Sequence, residues 1–423
     1  MNGVQTPTTV PANSVRGAKS QLGSRSSGAY NVALGYLRAF ITLLVLAHHA
    51  VLAYHPYAPA PSAKFSSQPM MWAAFPIVDF QRWHGIDLFV GFNDIFFMSL
   101  MFFLSGLFVW PSLARKGTGR FIRDRLFRLG LPFIVAAGLL APLAYYPAYR
   151  VTGSDPSLAA YAKQWLSLGT WPCGPAWFIW VLLAFDCLAA ALSKLVPGWA
   201  EALGRFGSGA QRRPVIFFSL LVAISAAAYV PMELIFDPMR WISFGPFSVQ
   251  LSRILHYAIY FLSGVCVGAY GIEQGLLASD GKLARRWPIW ILAALGAYVL
   301  AIVAFIAFLS AMSHGTPGLG WRALLGLTFV LSSAASGFAF LAIFLRFVRT
   351  RVRLFDSLSN NAYGICLVHY VFVVWLQFAL LRALLSGPAK GSIVFLGALA
   401  LSWGAIAATR RFARVAPRTF GNL

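Results

Sequence analysis

Charge is scarce in this chain, acidic charge scarcer still, and cysteine nearly absent. Only 11% of its 423 residues are Asp, Glu, Lys or Arg, less than half the roughly 25% usual in soluble domains. With 59% hydrophobic and 15% aromatic residues alongside, a water-facing surface cannot be covered, which excludes an ordinary soluble protein. The four cysteines (Cys173, Cys187, Cys266 and Cys366) are scattered, mostly inside apolar runs. They have neither metal-ligand spacing nor the density of a disulfide framework, so they read as small buried side chains and no metal site is expected. No Walker loop, dinucleotide fingerprint or Gly-x-Ser-x-Gly elbow occurs. The weak alternation of a membrane β-barrel is missing, as are an internal repeat and any polar stretch long enough for a separate soluble domain.

What the chain does have is long apolar runs. A helix crosses the hydrocarbon in roughly 20 residues. Runs of that kind lie at about 32–54, 88–110, 126–148, 176–197, 214–236, 251–272, 288–312, 321–346, 362–385 and 392–409. The expected fold is therefore all-α, a polytopic membrane bundle of about ten transmembrane helices. Residues 1–29, rich in Ser, Gly, Thr, Pro and Gln, read as a disordered tail; 30–410 form the membrane domain, and 411–423 a second, basic tail. The first run is too long for a removable signal peptide and lacks its cleavage site.

The formal net charge of +22 would suggest nucleic acid in a soluble protein, but no such signature accompanies it. The basic residues instead alternate along the chain. Arg115 to Arg125, Arg205 to Arg213, Lys282 to Arg286 and Arg349 to Arg353 fall in every second connection, and Arg16, Lys19, Arg25, Arg410, Arg411, Arg414 and Arg418 in the tails. The other connections hold few, among them Lys64, Arg82, Arg150, Lys163, Arg240 and Lys390. That asymmetry places both termini in the cytoplasm and the long connections 55–87 and 149–175 outside. The bilayer, not nucleic acid, is the expected partner.

Ionisable residues inside spans are costly, so each is a functional candidate. The first span holds Arg38, His48 and His49. Eleven helical steps bring His49 back to within about 20° of Arg38, roughly 16 Å further on, whereas His48 points about 80° away. The second span holds Asp87 and, seven residues further in, Asp94; Asp94 is read either as a structural ion-pair partner or as the carboxylate that orients a histidine. At the start of the third span, Arg125 and Arg128 share a face. Positive-inside topology explains Arg115 to Arg123, but Arg128 lies a turn into the apolar run, and two guanidiniums there suit phosphate oxygens. Asp186 and Glu233 read as interhelix pairs, and His256 and His369 as structural histidines. Ser105 and Gly106 read as a close-packing site rather than a nucleophile turn.

Four segments, in order, resemble the acyltransferase-3 family of multispanning membrane O-acyltransferases. They are 36–50, YLRAFITLLVLAHHA, with Arg38 and His49 as the family's Arg, ten residues, His pair; FFLSG at 102–106; Arg125 and Arg128 followed by Pro132; and 358–370, LSNNAYGICLVHY. Ala362 and Cys366 depart from the Ser and Tyr usual in the fourth, and 175–178, PAWF, lacks a histidine often seen before Trp-Phe. The resemblance, possible kinship with a periplasmic glucan-modifying branch included, implies transfer of an acyl group, commonly acetyl from acetyl-CoA or another acyl-CoA. The acceptor is a hydroxyl of a glycan or glycolipid outside the cytoplasm, and the location a bacterial inner membrane. On this reading His49 is the base or a transient acyl carrier, Asp94 holds its tautomer, and Arg125 and Arg128, with Arg38, bind the donor phosphates. The competing readings are a secondary transporter with a His/Asp proton relay and a polysaccharide export partner.

Overall fold

The structure is a computed structural model. It describes residues 14–62, 64–153 and 155–415, with side chains described between 32 and 411. The extreme tails, and the side chains of Arg16, Lys19, Arg25, Arg414 and Arg418, lie outside the described residues. Ten helices are long and apolar enough to cross a membrane: α1 (Val32–Tyr54), α2 (Ile86–Lys116), α3 (Thr118–Val151), α4 (Gly174–Leu195), α5 (Pro214–Phe236), α6 (Leu251–Tyr270), α7 (Trp287–Ser313), α8 (Leu319–Phe347), α9 (Arg353–Leu380) and α10 (Gly387–Arg411). The helix containing the first half of α1 begins at Ser14. Boundaries differ most at α9, which starts nine residues before the apolar run at 362. Arg353 to Asn361 is polar yet helical, because Tyr36 Oη donates to Asp356 Oδ1 at 2.9 Å and binds that turn to α1.

Burial separates centre from rim. In α8, 72% of the apolar window is buried, and in α7 only 17%, so α8 is central and α7, packed on α8, faces outward. The tightest joint is between α2 and α6. A Cβ on Gly106 would lie 2.1 Å from the Phe261 carbonyl oxygen, and Cβ atoms on Gly264 and Gly268 would lie 2.1 Å from Phe103 O and Leu107 O. Only glycine permits that approach, and small residues are how membrane helices maximise packing without a hydrophobic drive between them. Gly106 therefore does pack closely, as its sequence context suggests.

A second joint depends on proline. Pro132 and Pro147 lie inside α3 and have no N–H to close the bond to the carbonyl four residues back. Those carbonyls belong to Arg128 and Leu143. Tyr363 Oη donates to Arg128 O at 2.8 Å, and Trp375 Nε1 donates to Leu143 O at 2.9 Å. Both donors are on α9, so α9 clamps α3 at two points twelve residues apart. Leu126–Gly130 and Ala136–Leu140 are wound wider, as π-helix turns, a feature often found at functional sites.

The face opposite the basic connections carries the long connections. Phe65 stacks on Trp72 at 4.2 Å, and these two gather with Tyr145, Tyr149, Tyr161 and Trp165 into one aromatic cluster. A short hairpin, β1 (Trp241–Phe244) and β2 (Phe247–Gln250), stands beside it and joins residue 171 through Trp171 N–H to Gly245 O at 2.9 Å. Beneath the 55–85 connection, Lys390 Nζ meets Asp79 Oδ2 at 2.7 Å with both side chains under 4% exposed. Lys390, a topology charge by sequence, is thus a buried ion-pair partner that ties this connection to α10.

Candidate functional site

His48 and His49 occupy the last helical turn of α1. The end of a helix leaves carbonyls without N–H partners, and here α9 supplies donors: Gln377 Nε2 donates to His49 O at 2.9 Å and to Ala50 O at 3.1 Å. Eight residues earlier, on the same face of α9, His369 Nε2 lies 3.3 Å from His49 Nδ1. The two helices run parallel with a constant offset: Tyr36 meets Asp356 and His49 meets His369, both 320 residues apart.

Carbonyl oxygens only accept, and this assigns the protons of the neutral rings. His49 Nδ1 is 2.8 Å from Val45 O, and His369 Nδ1 is 2.7 Å from Cys366 O. Each Nδ1 therefore carries the hydrogen. His369 Nε2 keeps its lone pair and accepts a share of the His49 Nδ1 hydrogen. His49 Nε2 then keeps its own lone pair, and among the described residues no hydrogen bond engages it. The His49 ring is partly exposed and lies 5.2 Å from the ring of Tyr370. An imidazole fixed at one nitrogen and open at the other can accept a proton or attack an electrophile. The carbonyl end of α1 stabilises the cation that forms.

Asp94 is not the group that orients His49. Its carboxylate is held by Arg253 in a fork, Nη2 to Oδ2 at 2.6 Å and Nη1 to Oδ1 at 3.0 Å, and no hydrogen bond joins it to His49 among the described residues. Val45 O and His369 do the work expected of Asp94. Arg253 was missed by reading the sequence because it stands at the very start of the 251–272 run and resembles an ordinary span-end charge. His369 was undervalued for a different reason: its partner lies 320 residues away. Nearby, His256 is fully buried, with Nε2 3.0 Å from Ser99 Oγ and 3.5 Å from Ser333 Oγ, as a packing residue should be. His48 stacks on Phe97 at 5.5 Å and meets the His49 ring edge-on at 5.4 Å.

The three arginines separate. Arg125 Nε lies 3.2 Å from Asp186 Oδ2, and its guanidinium sits 4.8 Å over the Phe121 ring; Asp186 is 1% exposed. Arg125 is thus committed to an interhelix pair, which corrects its expected place as half of an open phosphate-binding pair. Arg38 and Arg128 are exposed, and among the described residues neither side chain makes a hydrogen bond or close ion pair; the one acidic neighbour of Arg128, Asp124, is itself held by Lys116. By the 320-residue offset Arg38 stands level with position 358, while the Arg128 backbone is fixed at Tyr363. Five residues of α9 separate those levels, about 7.5 Å of helix. Two free guanidiniums thus sit at similar depth, and α1 rises roughly 16 Å from Arg38 to His49.

The profile of the acyltransferase-3 family, described as an acyltransferase domain, matches residues 31–407. Among curated proteins, the chain is similar to glucans biosynthesis protein C of Escherichia coli O139:H28 (strain E24377A / ETEC), and of O157:H7 (strain EC4115 / EHEC) and O81 (strain ED1a). Each is 22% identical over 288 residues, covering 67% of this chain and 66% of the relative. The match thus spans slightly less than two thirds of those relatives. No solved structure matches.

Proposed function

Because this chain belongs to the acyltransferase-3 family, multi-pass membrane enzymes that transfer groups other than amino-acyl groups, we propose that it moves an acetyl group from cytoplasmic acetyl-CoA to a glycan hydroxyl outside the cytoplasm. The proposal takes the basic face and both tails, 1–29 and 411–423, as cytoplasmic, and the bacterial inner membrane as the location. The glycan acceptor follows the name of the glucan-biosynthesis relatives; a glycolipid presents the same hydroxyl.

The observation that carries the proposal is the open Nε2 of His49, fixed from behind by Val45 O and His369. A sugar hydroxyl is a poor nucleophile at neutral pH and needs a base. His49 Nε2 takes the hydroxyl proton as the oxygen attacks the thioester carbonyl carbon. The carbon–sulfur bond breaks, the CoA thiolate leaves, and the proton on Nε2 returns to that sulfur. Arg38 and Arg128 bind the donor's phosphates, each guanidinium offering paired N–H groups to oxygens. The span of α1 between arginine and histidine matches a donor that enters from the basic face and delivers its thioester deeper in the membrane.

The test is a transfer assay with the purified chain in nanodiscs, radiolabelled acetyl-CoA and a soluble β-glucan. Alkali-labile label on the glucan, lost in His49→Ala and weakened in Arg128→Ala, supports the proposal. Label transfer that is unchanged in His49→Ala, or a wild-type protein that neither transfers label nor binds CoA, removes it and favours the transporter reading.

A further inference from the structure

Between its two clamp points on α9, α3 stands away from its neighbours. The gap is a narrow slot with about 20 Å³ of cavity volume, room for one small group, lined by α3, α4 and α9 together with the residues leading into α4. Ala136, Ala144, Ile179, Cys173, Cys366 and Tyr370 are among its walls. No charged side chain lines it, and burial pushes the Cys173 thiol up to about 12, so that wall stays neutral. The clamps at Arg128 O and Leu143 O bracket the slot along α3, and the wide turn Ala136–Leu140 forms part of its wall. On the inner side its walls include Cys366 and Tyr370, which adjoin the histidine pair. The Cys366 carbonyl holds His369, and the Tyr370 ring lies 5.2 Å from His49. Gly174, at φ +54°, lets the chain turn against Tyr370, where a Cβ would come within 3.0 Å of the ring. The Tyr370 wall in turn meets Tyr145 of the aromatic cluster, ring to ring at 5.8 Å.

We propose that this slot receives the hydrocarbon end of the donor's acyl group, so that α3 and α4, not the dyad, set the acyl chain length. The proposal rests on the acyl-CoA reading above. Its occupant is argued from position: the Cys366 and Tyr370 walls of the slot adjoin the histidine pair. A thioester carbonyl at His49 would direct its alkyl end there. Its small, apolar, uncharged walls suit a short chain without a terminal charge. Ala136 and Ile179 touch no group given a role in proton transfer, so they alter the slot without altering the base.

The experiment measures CoA thiol release by the full chain in nanodiscs with acetyl-, butyryl- and hexanoyl-CoA, for wild type, Ala136→Leu and Ile179→Ala. A mismatch of one or two methylenes in an apolar pocket changes selectivity on the order of tenfold or more. Ala136→Leu is expected to lower the butyryl-to-acetyl rate ratio about tenfold, and Ile179→Ala to raise the hexanoyl-to-acetyl ratio by a similar factor. If Ala136→Leu does not fold, Ile179→Ala decides alone. Ratios that stay at wild-type values while turnover continues overturn the slot and leave the acyl-CoA reading standing. Rates that fall equally for all donors point to a slot filled by a bilayer lipid and also overturn it. A wild type that releases no thiol from any donor overturns the parent reading, and this one with it.

Discussion

His49 and His256 both lie in apolar helices among aromatic rings, and both appear in the sequence as lone intramembrane histidines. On the helices around His256, α2 and α6 pack through glycine to backbone contact, and its Nε2 lies between two serine hydroxyls from α2 and α8. Beside it Asp94 and Arg253 bind each other in a fork. Around His49, α1 and α9 hold one nitrogen and leave the other without a partner. The contrast shows that the presence of an ionisable group in a membrane helix does not distinguish structure from chemistry. His256 Nδ1 also lacks a partner but is sealed in the core, whereas His49 is partly exposed, so the distinction lies in whether an unpartnered group can be reached. The same test divides the arginines, Arg125 and Arg253 being paired, Arg38 and Arg128 free.

The sharpest way to break this contrast is to remove each histidine in turn. His49→Ala should lower turnover by about 10³-fold, within the usual range for losing a general base, with little change in melting temperature. His256→Ala should do the reverse, measured on the same two axes. Equal losses of activity would erase the contrast. Next in size, Arg253→Leu removes the forked hydrogen bonds to the Asp94 carboxylate, which is 47% exposed and so can be partly solvated, and should cost about 2 kcal/mol. A thermal or denaturant melt in detergent should show that loss, whereas Arg253→Leu with Asp94→Leu should recover much of it.

His369→Ala sharpens the claim that α9 tunes His49. Loss of one neutral hydrogen bond is worth about 1 kcal/mol, or roughly a five- to tenfold fall in kcat, with KM for the donor unchanged. A fall as deep as that of His49→Ala would make His369 a direct participant. Arg128→Ala should behave oppositely, raising KM for acyl-CoA about tenfold while kcat holds, as loss of ground-state binding requires. The smallest effect belongs to Tyr363→Phe, which leaves the Pro132-freed carbonyl of Arg128 without its donor and should lower stability by about 1 kcal/mol.

The ten helices were legible because each apolar run exceeds the bilayer thickness and each connection carries its charge on a consistent side. The close-packing site at Ser105 and Gly106 was identifiable from sequence. The Arg38 to His49 stripe was legible too, since it is a property of one helix. What was not legible is every relation between helices distant in sequence. His369 beside His49, Arg253 beside Asp94 and Lys390 beside Asp79 join residues separated by 320, 159 and 311 positions. A single sequence records which residues are costly in a membrane, but not which neighbour meets that cost. Asp94 was therefore paired with the wrong group, and Arg125 was taken as free.

The central claim, that His49 presents an open Nε2 as the working base, is tested most directly by thiol release from acetyl-CoA in nanodiscs. The comparison needs wild type and His49→Gln at matched folding, judged by melting and by CoA binding. The account expects CoA binding to persist in His49→Gln and thiol release to fall at least about a hundredfold. Thiol release at the wild-type rate by a His49→Gln protein that is folded and binds CoA would contradict it.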